Sequence, residues 1–324
     1  MAAAPKILVV GSLVLDQIGT TKTFPQEGET VFGEAFSTAP GGKGANQAVQ
    51  CARLGAEVTM VGKVGNDANG RTMLSACNQS GIHTDRIMTD PSCSTGCSMI
   101  ILEEGADGQR RNRILVLPGA NMTIRPGDLD FLEAEMEQYD MLMLQLEIPM
   151  DVNLQAARCA HRHGVPVMLN SAPSAPLPEE LLECLTYISP NEHEAKDLTG
   201  ISIPHEGNWV EKAAVKKAAA ILQEKGVKNV LITLGSAGAA MVTEDGCFFS
   251  PAVPDVRAVD PTAAGDSFVG AFCYAVCRGM TGQQALSFAN CTAARTVSQM
   301  GAMPSLPTME DLLDFLPGAL RSCL

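Results

Sequence analysis

Short apolar runs with almost no alternation recur along the chain, each closed by glycine, asparagine or another polar residue. Lys6 to Val10 is the first and stops at Gly11. Glu57 to Val64, Met141 to Gln145, Val165 to Leu169, Leu185 to Ile188 and Lys228 to Thr233 follow. Runs of this length predict strands buried on both faces, the pattern of a parallel sheet. Between them the apolar spacing lengthens to that of helices: Ala45 to Leu54 stopping at Gly55, Asn69 to Gln79, Val152 to His163, and a helix opening at Asn191-Glu192-His193-Glu194 and ending at Gly200. Val269 to Arg278 and Gln283 to Met300 predict two largely buried helices, and Met309 to Phe315 a last short one. Strand and helix in alternation define an α/β protein.

Two regions break the rhythm. Asp16 to Pro40 carries Thr20, Thr21, Thr23, Thr30, Val31, Phe32 and Phe36 among glycines 19, 28 and 33, which reads as short strands rather than a crossover helix. Cys93 to Leu102 and Arg111 to Val116 read as a hairpin around Glu103 to Arg110. Together they predict a flap assembled from separated segments over one ligand site. Asp16, Glu147, Asn170, Asn191 and Gly235 each stand at or just past the end of a predicted strand, Asp16 after the first. One edge of a parallel sheet would collect them, and that edge is where open α/β sheets bind ligands.

The 324 residues, 46% hydrophobic, suffice for one large domain or two ordinary ones. A formal net charge of −13, from 36 acidic and 23 basic residues, argues against an extended nucleic-acid surface. An anionic substrate then has to be held largely by backbone N–H groups or metal ions. Eleven cysteines occur with no CxxC pair; the closest are Cys93/Cys97 and Cys273/Cys277, and no histidines complete a zinc set with them. Free thiols in a reducing compartment is the economical reading. Met1 to Pro5 lacks the features of a signal peptide and no apolar run reaches membrane-span length, so a soluble protein of the cytoplasm or nucleus is expected, with no membrane partner.

Two glycine-rich stretches carry the chemistry. Ala263-Ala264-Gly265-Asp266-Ser267-Phe268 follows prolines 251, 254 and 261 and precedes the helical run from Val269, so it sits where a loop becomes a helix. A helix N-terminus offers unpaired N–H groups and a positive dipole end to an anion, and small residues allow close approach. Asp266 would repel a resting phosphate. It is either a helix-capping acid or a base that takes a proton from a hydroxyl attacking that phosphate. Gly41-Gly42-Lys43-Gly44-Ala45-Asn46-Gln47 opens the helix that ends at Gly55, and it lacks the spacing of a Walker A loop. Lys43 and Asn46 would offer donors to hydroxyls or a carbonyl, or serve only as surface polar residues of a helix start. Gly235-Ser236-Ala237-Gly238 could cradle phosphate or ribose, or be a tight hairpin turn. Glu194 is a magnesium-associated candidate, or a first-turn acid that complements the helix dipole.

Gly41 to Asn46 together with Asp260-Pro261-Thr262-Ala263-Ala264-Gly265-Asp266 resemble the ribokinase family of carbohydrate kinases. Gln145-Leu146-Glu147, Pro190 to Glu194, Thr233 to Gly238 and Gly301-Ala302-Met303-Pro304-Ser305 match in the same order, so the resemblance spans nearly the whole chain. It implies one domain over residues 1–324: a three-layer α/β/α sandwich around a mostly parallel sheet, with a small β-sheet lid from residues 13–40 and 94–118. It implies ATP-dependent phosphorylation of D-ribose at the 5-hydroxyl, and a homodimer clasped through the lids. By the same resemblance Asp266 is the catalytic base, and the N–H groups of Ala263, Ala264 and Gly265 form the anion hole. Val14, Asp16, Gly42, Lys43, Gly44, Ala45, Asn46 and Glu147 match positions of the sugar site. Asn191, Thr233, Leu234, Gly235, Ser236, Ala237, Gly238, Gly265, Asp266 and Asn290 match positions of the ATP site. Glu194 matches the acid associated with Mg2+, and Asp260, Thr262, Thr296, Gln299, Gly301 and Ser305 an activating K+ site.

Two departures matter. Val14 stands where bacterial ribokinases often carry an asparagine facing the sugar, which would weaken discrimination between ribose and 2-deoxyribose by roughly 1–3 kcal/mol. Pro261 replaces a more usual threonine and stiffens the loop. The rival readings are another kinase of this fold, acting on 2-deoxyribose, fructose or a nucleoside, and a non-catalytic sugar-sensing protein. A dinucleotide-dependent oxidoreductase is disfavoured, because no Gly-x-Gly-x-x-Gly follows the first strand.

Overall fold

The computed structural model describes residues 3–104, 110–207 and 209–323. Its strands are β1 (Lys6–Val10), β2 (Val14–Thr21), β3 (Ala35–Gly41), β4 (Glu57–Gly65) and β5 (Ile87–Asp90), then β6 (Gly96–Glu104), β7 (Arg110–Leu117), β8 (Met141–Gln145), β9 (Val167–Asn170) and β10 (Tyr187–Ser189). A two-residue pair, β11 (His205–Glu206) and β12 (Trp209–Val210), precedes β13 (Asn229–Thr233), β14 (Ala239–Thr243) and β15 (Gly246–Ser250). Nine strands form one sheet in the order β15-β14-β13-β10-β9-β8-β1-β4-β5. From β13 to β5 its pairings are parallel, with β1 between β8 and β4.

Alternation along β1 explains the layers. Ile7 and Val9 join an apolar cluster with the helices Lys43–Arg53, Ala264–Cys277 and Gly282–Val297. Leu8 and Val10 join a second cluster with the helices Met150–Arg162 and Lys212–Glu224. Successive side chains point to opposite faces, and both faces are covered. The result is the expected α/β/α sandwich.

Several differences from the sequence reading have physical causes. β14 and β15 extend the sheet antiparallel, because the link Leu234–Gly238 is too short for a crossover and makes a 3-10 turn instead. The helix Lys212–Glu224 had gone unread, although Val215, Ala218, Ala219 and Leu222 bury one face at helical spacing. The last long helix stops at Val297 rather than Met300.

Chain segments far apart in sequence build a second, four-stranded sheet in the order β3-β2-β6-β7. β2 leaves the end of β1 after three residues, Gly11 to Leu13. Asp16 therefore does not end the first strand. It is the third residue of β2, opposite Ser98 of β6 and Ala39 of β3. The predicted turn around Glu103 to Arg110 includes residues 105–109, which lie outside the described residues, as do Met1 and Ala2 of the N-terminal reading. Met99, Ile101, Ile114, Leu115, Val116 and Leu117 are exposed on this sheet.

Candidate active site

The large sheet changes direction between β8 and β1: the chain runs outward from β1 through β4 and β5 on one side and from β8 through β9 and β10 on the other. Such a switch point leaves a crevice at the strand ends. The segment after β1 and the helix Lys43–Arg53 close around it. Gly42 has φ of 89°, and a Cβ there would stand 2.8 Å from the Val14 nitrogen. A Cβ on Gly44 would stand 2.5 Å from the Ser12 nitrogen. Both positions need glycine for the helix start to lie against the segment Ser12–Val14. Glu147, just past β8, accepts from the Ser12 hydroxyl at 2.5 Å and from the Lys43 N–H at 3.0 Å. The Ser98 hydroxyl donates to Asp16 at 2.5 Å.

Asp266 lies in the first turn of the helix Ala264–Cys277 and is buried. One of its carboxylate oxygens accepts from Asn46 Nδ2 at 2.9 Å, the other from Gln47 Nε2 at 3.0 Å. Gln47 in turn accepts from Gln145 Nε2 at 2.8 Å, and its own amide also reaches Asn170 Oδ1 at 3.3 Å. Burial raises the Asp266 pKa; Lys43 and the two amides oppose it. For Lys43, burial favours the neutral form but is outweighed by Asp266, Glu147 and Glu194, so its pKa is raised. Burial raises Glu194 against the N–H donor of Asn191 and the Lys43 charge. Burial likewise raises Asp16, against the hydroxyl of Ser98.

The turn before the helix holds Ala263 at φ 59°, a left-handed conformation that costs a non-glycine residue roughly 1–3 kcal/mol and clusters at functional sites. The N–H groups of Ala263 and Gly265 have no partner among the described residues. That of Ala264 donates to the Pro261 carbonyl at 3.2 Å, so the tight turn already engages one of the three expected anion-hole donors.

Two cavities meet at this turn. One, of about 240 Å³, is lined by Lys43, Asn191, Glu194, Thr233, Gly265 and Asp266, among others. The other, of about 450 Å³ and mostly apolar, runs over Gly235, Ser236, Gly238, Val253, Val256, Asn290 and Ala294. Thr233, Pro261, Ala264 and Gly265 line both. At the acid end, Asn46 Oδ1 is buried without a hydrogen-bond partner, as is the Ser189 hydroxyl beside the smaller cavity. Buried polar atoms of this kind call for a ligand or water partner.

Not every expected residue reaches the cavities. Leu234 is fully buried in the core, and its N–H donates to the Gly238 carbonyl. Ala237 also packs into the core, and Ala45 is fully buried, while Val14 is buried where β2 begins. Asn290 spends its amide on the Ser250 and Pro251 carbonyls, holding the cavity rim. Glu194 is the third helical residue in a capping box with Asn191. Asp260 accepts from Thr262 and from the Gly301 N–H at 2.9 Å, tying two loops together. Thr296 turns its hydroxyl to Ser267 and Thr292, Ser305 to Ala302, and Gln299 faces the Arg295 guanidinium. Residues that sequence reasoning missed are Ser12, Gln47, Ser98 and the apolar lining from Val253 to Ala258. Gln47 reads in the sequence as one more polar residue of a helix start, and the lining carries no polar signal.

An apolar cleft joined to a buried acid across a helix N-terminus suits a phosphotransferase acting on a small hydroxylated acceptor. The profile of pfkB family carbohydrate kinases matches residues 4–309, and the chain belongs to that family. Ribokinase of Schizosaccharomyces pombe is 39% identical over 310 residues, 94% of this chain and 95% of that protein. Deoxyribokinase of Salmonella typhi is 32% identical over 311 residues, 96% of this chain and 98% of that protein. Among solved structures, Arabidopsis thaliana ribokinase complexed with ribose and ATP superposes with a TM-score of 0.88 at 34% identity, covering 97% of this chain and 99% of that one.

Proposed function

We propose that this sugar kinase transfers the γ-phosphoryl of ATP to the 5-hydroxyl of D-ribose. The observation that carries the reading is Asp266: a buried carboxylate, clamped by two amides, on the smaller cavity and next in the chain to Gly265, which lines both. The sugar lies among Asp16, Lys43, Asn46 and Glu147, and the unpaired Asn46 Oδ1 accepts from one of its hydroxyls. ATP occupies the larger cavity, its terminal phosphoryl against the open N–H groups of Ala263 and Gly265. Sugar binds first, and the four-stranded sheet closes over it and excludes water. Asp266 orients the attacking oxygen and takes its proton, while the helix terminus steadies charge on the transferred group.

Mg2+ accompanying the nucleotide supplies charge neutralisation at the phosphates. Glu194 fits such an ion through water, being an acid on the smaller cavity besides Asp266, with Asn191 bracing its carboxylate. A K+ ion beside the Asp260 to Thr262 loop would draw on the Asp260 carboxylate, which already accepts from Thr262 and Gly301, and on carbonyls of the two loops it joins.

Val14 favours a second acceptor. Buried at the base of β2 and outside the lining of both cavities, it offers a sugar hydroxyl no hydrogen bond, so 2-deoxyribose enters only as a minor acceptor beside ribose. An ADP-release assay over pentoses, hexoses and nucleosides tests both readings. Ribose is expected to be the best or near-best acceptor, and Val14→Asn to raise the ribose to 2-deoxyribose ratio by about tenfold. Turnover confined to a nucleoside would overturn the assignment, and an unchanged ratio in the variant would remove the role given to Val14.

A further inference from the structure

On the face of the large sheet opposite Asp266, two pairs of side chains spaced four apart meet. Glu133 and Glu137 come from the short helical segment Leu132–Gln138, and Cys159 and His163 from the last turn and cap of the helix Met150–Arg162. Cys159 Sγ lies 3.7 Å from one Glu133 oxygen, and His163 Nε2 lies 3.2 Å from the other. One ligand atom from each of these three residues falls within 4.8 Å of the other two. Around zinc, with bonds of about 2.0–2.3 Å, neighbouring ligand atoms of a tetrahedron stand about 3.3–3.6 Å apart. The three groups thus stand within a small side-chain shift of one face of such a tetrahedron.

The other ring nitrogen is provided for as well. His163 Nδ1 lies 3.1 Å from Glu137, the arrangement in which a carboxylate orients a metal-bound imidazole. Cys159 is 3% exposed, and a cleft lined by Asp130, Glu133 and Cys159 gives an ion a way in.

We infer that Glu133, Cys159 and His163 form a binding site for a thiophilic divalent cation of the Zn2+ type, with Glu137 orienting the histidine and water as fourth ligand. Sulfur, imidazole and carboxylate together suit zinc and disfavour Mg2+ and Ca2+. The ion would rivet the segment Leu132–Gln138 to the helix Met150–Arg162. Two features set its affinity. Cysteine binds a metal as thiolate, so the ion must displace the Cys159 proton. Arg162 holds a Glu133 oxygen at 2.5 Å and competes for it.

The test is calorimetric titration of the reduced full-length protein with Zn2+, and with Co2+ for its spectrum. One Zn2+ per chain is expected, weakened at least tenfold by Cys159→Ser and by His163→Ala, and tightened by Arg162→Ala, a gain that misfolding cannot imitate. The Co2+ form is expected to show a thiolate charge-transfer band that Cys159→Ser abolishes. Kinase turnover with Mg2+·ATP in each variant reports that the fold is intact. Zinc affinity indifferent to Cys159 and His163, or a Co2+ form without the thiolate band, would overturn the assignment.

Discussion

Asp266 shows how much a single position can hold in tension. Its burial raises its pKa, while Lys43, Asn46 and Gln47 stabilise the charged form. A base must be deprotonated to act, so the acid limb of kcat/KM is expected above the pH at which a free aspartate titrates. A pH–rate profile measures it, and a limb at or below pH ~4 would contradict the burial argument. Asp266→Asn keeps the shape of the side chain and removes the carboxylate proposed as base. Its kcat is expected to fall by about 10² or more with sugar affinity largely retained, read from rapid-quench turnover and direct sugar titration. A variant losing affinity and keeping turnover would move the base elsewhere. That an acid stands at this helix start was legible in the sequence, from small residues following a proline-rich loop; its role as base is the proposal these measurements test. Its partner Gln47 was not legible, since a glutamine following Asn46 looks like surface polarity until the helix is docked and that face proves buried.

Elements are where the sequence and the structure agree best and where their differences are most instructive. Strands buried on both faces announced themselves as unbroken apolar runs, and Met141–Gln145 ends where the reading placed its end. What failed was assignment to a sheet: Asp16 follows an apolar run closely, but a three-residue turn carries it into the small sheet, a long-range pairing with Ser98 that local pattern does not encode. The helix Ala68–Gln79 makes a further point. Asp67 caps it, accepting from the Gly70 N–H at 2.7 Å, and also accepts from the N–H and hydroxyl of Thr95. Asp67→Ala is expected to cost about 1–2 kcal/mol in urea unfolding with little change in m, more than mutation of an uncoupled surface acid. The loop Asp260–Thr262 depends on another tie, to Gly301. If K+ steadies that loop, replacing it by a bulky organic cation is expected to lower kcat several-fold, and unchanged turnover would dismiss the site.

At the scale of the whole molecule, the large sheet is covered on both faces, whereas the small sheet leaves Met99, Ile101, Ile114 and Val116 in water. Apolar surface gathered on one thin element marks an association site. Pairing of two such sheets predicts a homodimer in sedimentation, and Ile114→Arg is expected to shift it toward monomer; a wild-type monomer at micromolar concentration would refute the pairing. The wall between the two cavities carries a different implication. Gly265 lines both, and a Cβ placed on it would project into open space rather than against protein. Any side chain at 265 would therefore intrude on both cavities at once. Neither pocket can be reshaped at that point in isolation, so an engineer seeking to alter the nucleotide alone has to work from the far rim, around Val253 and Ala294, where only one of the two chambers is bounded.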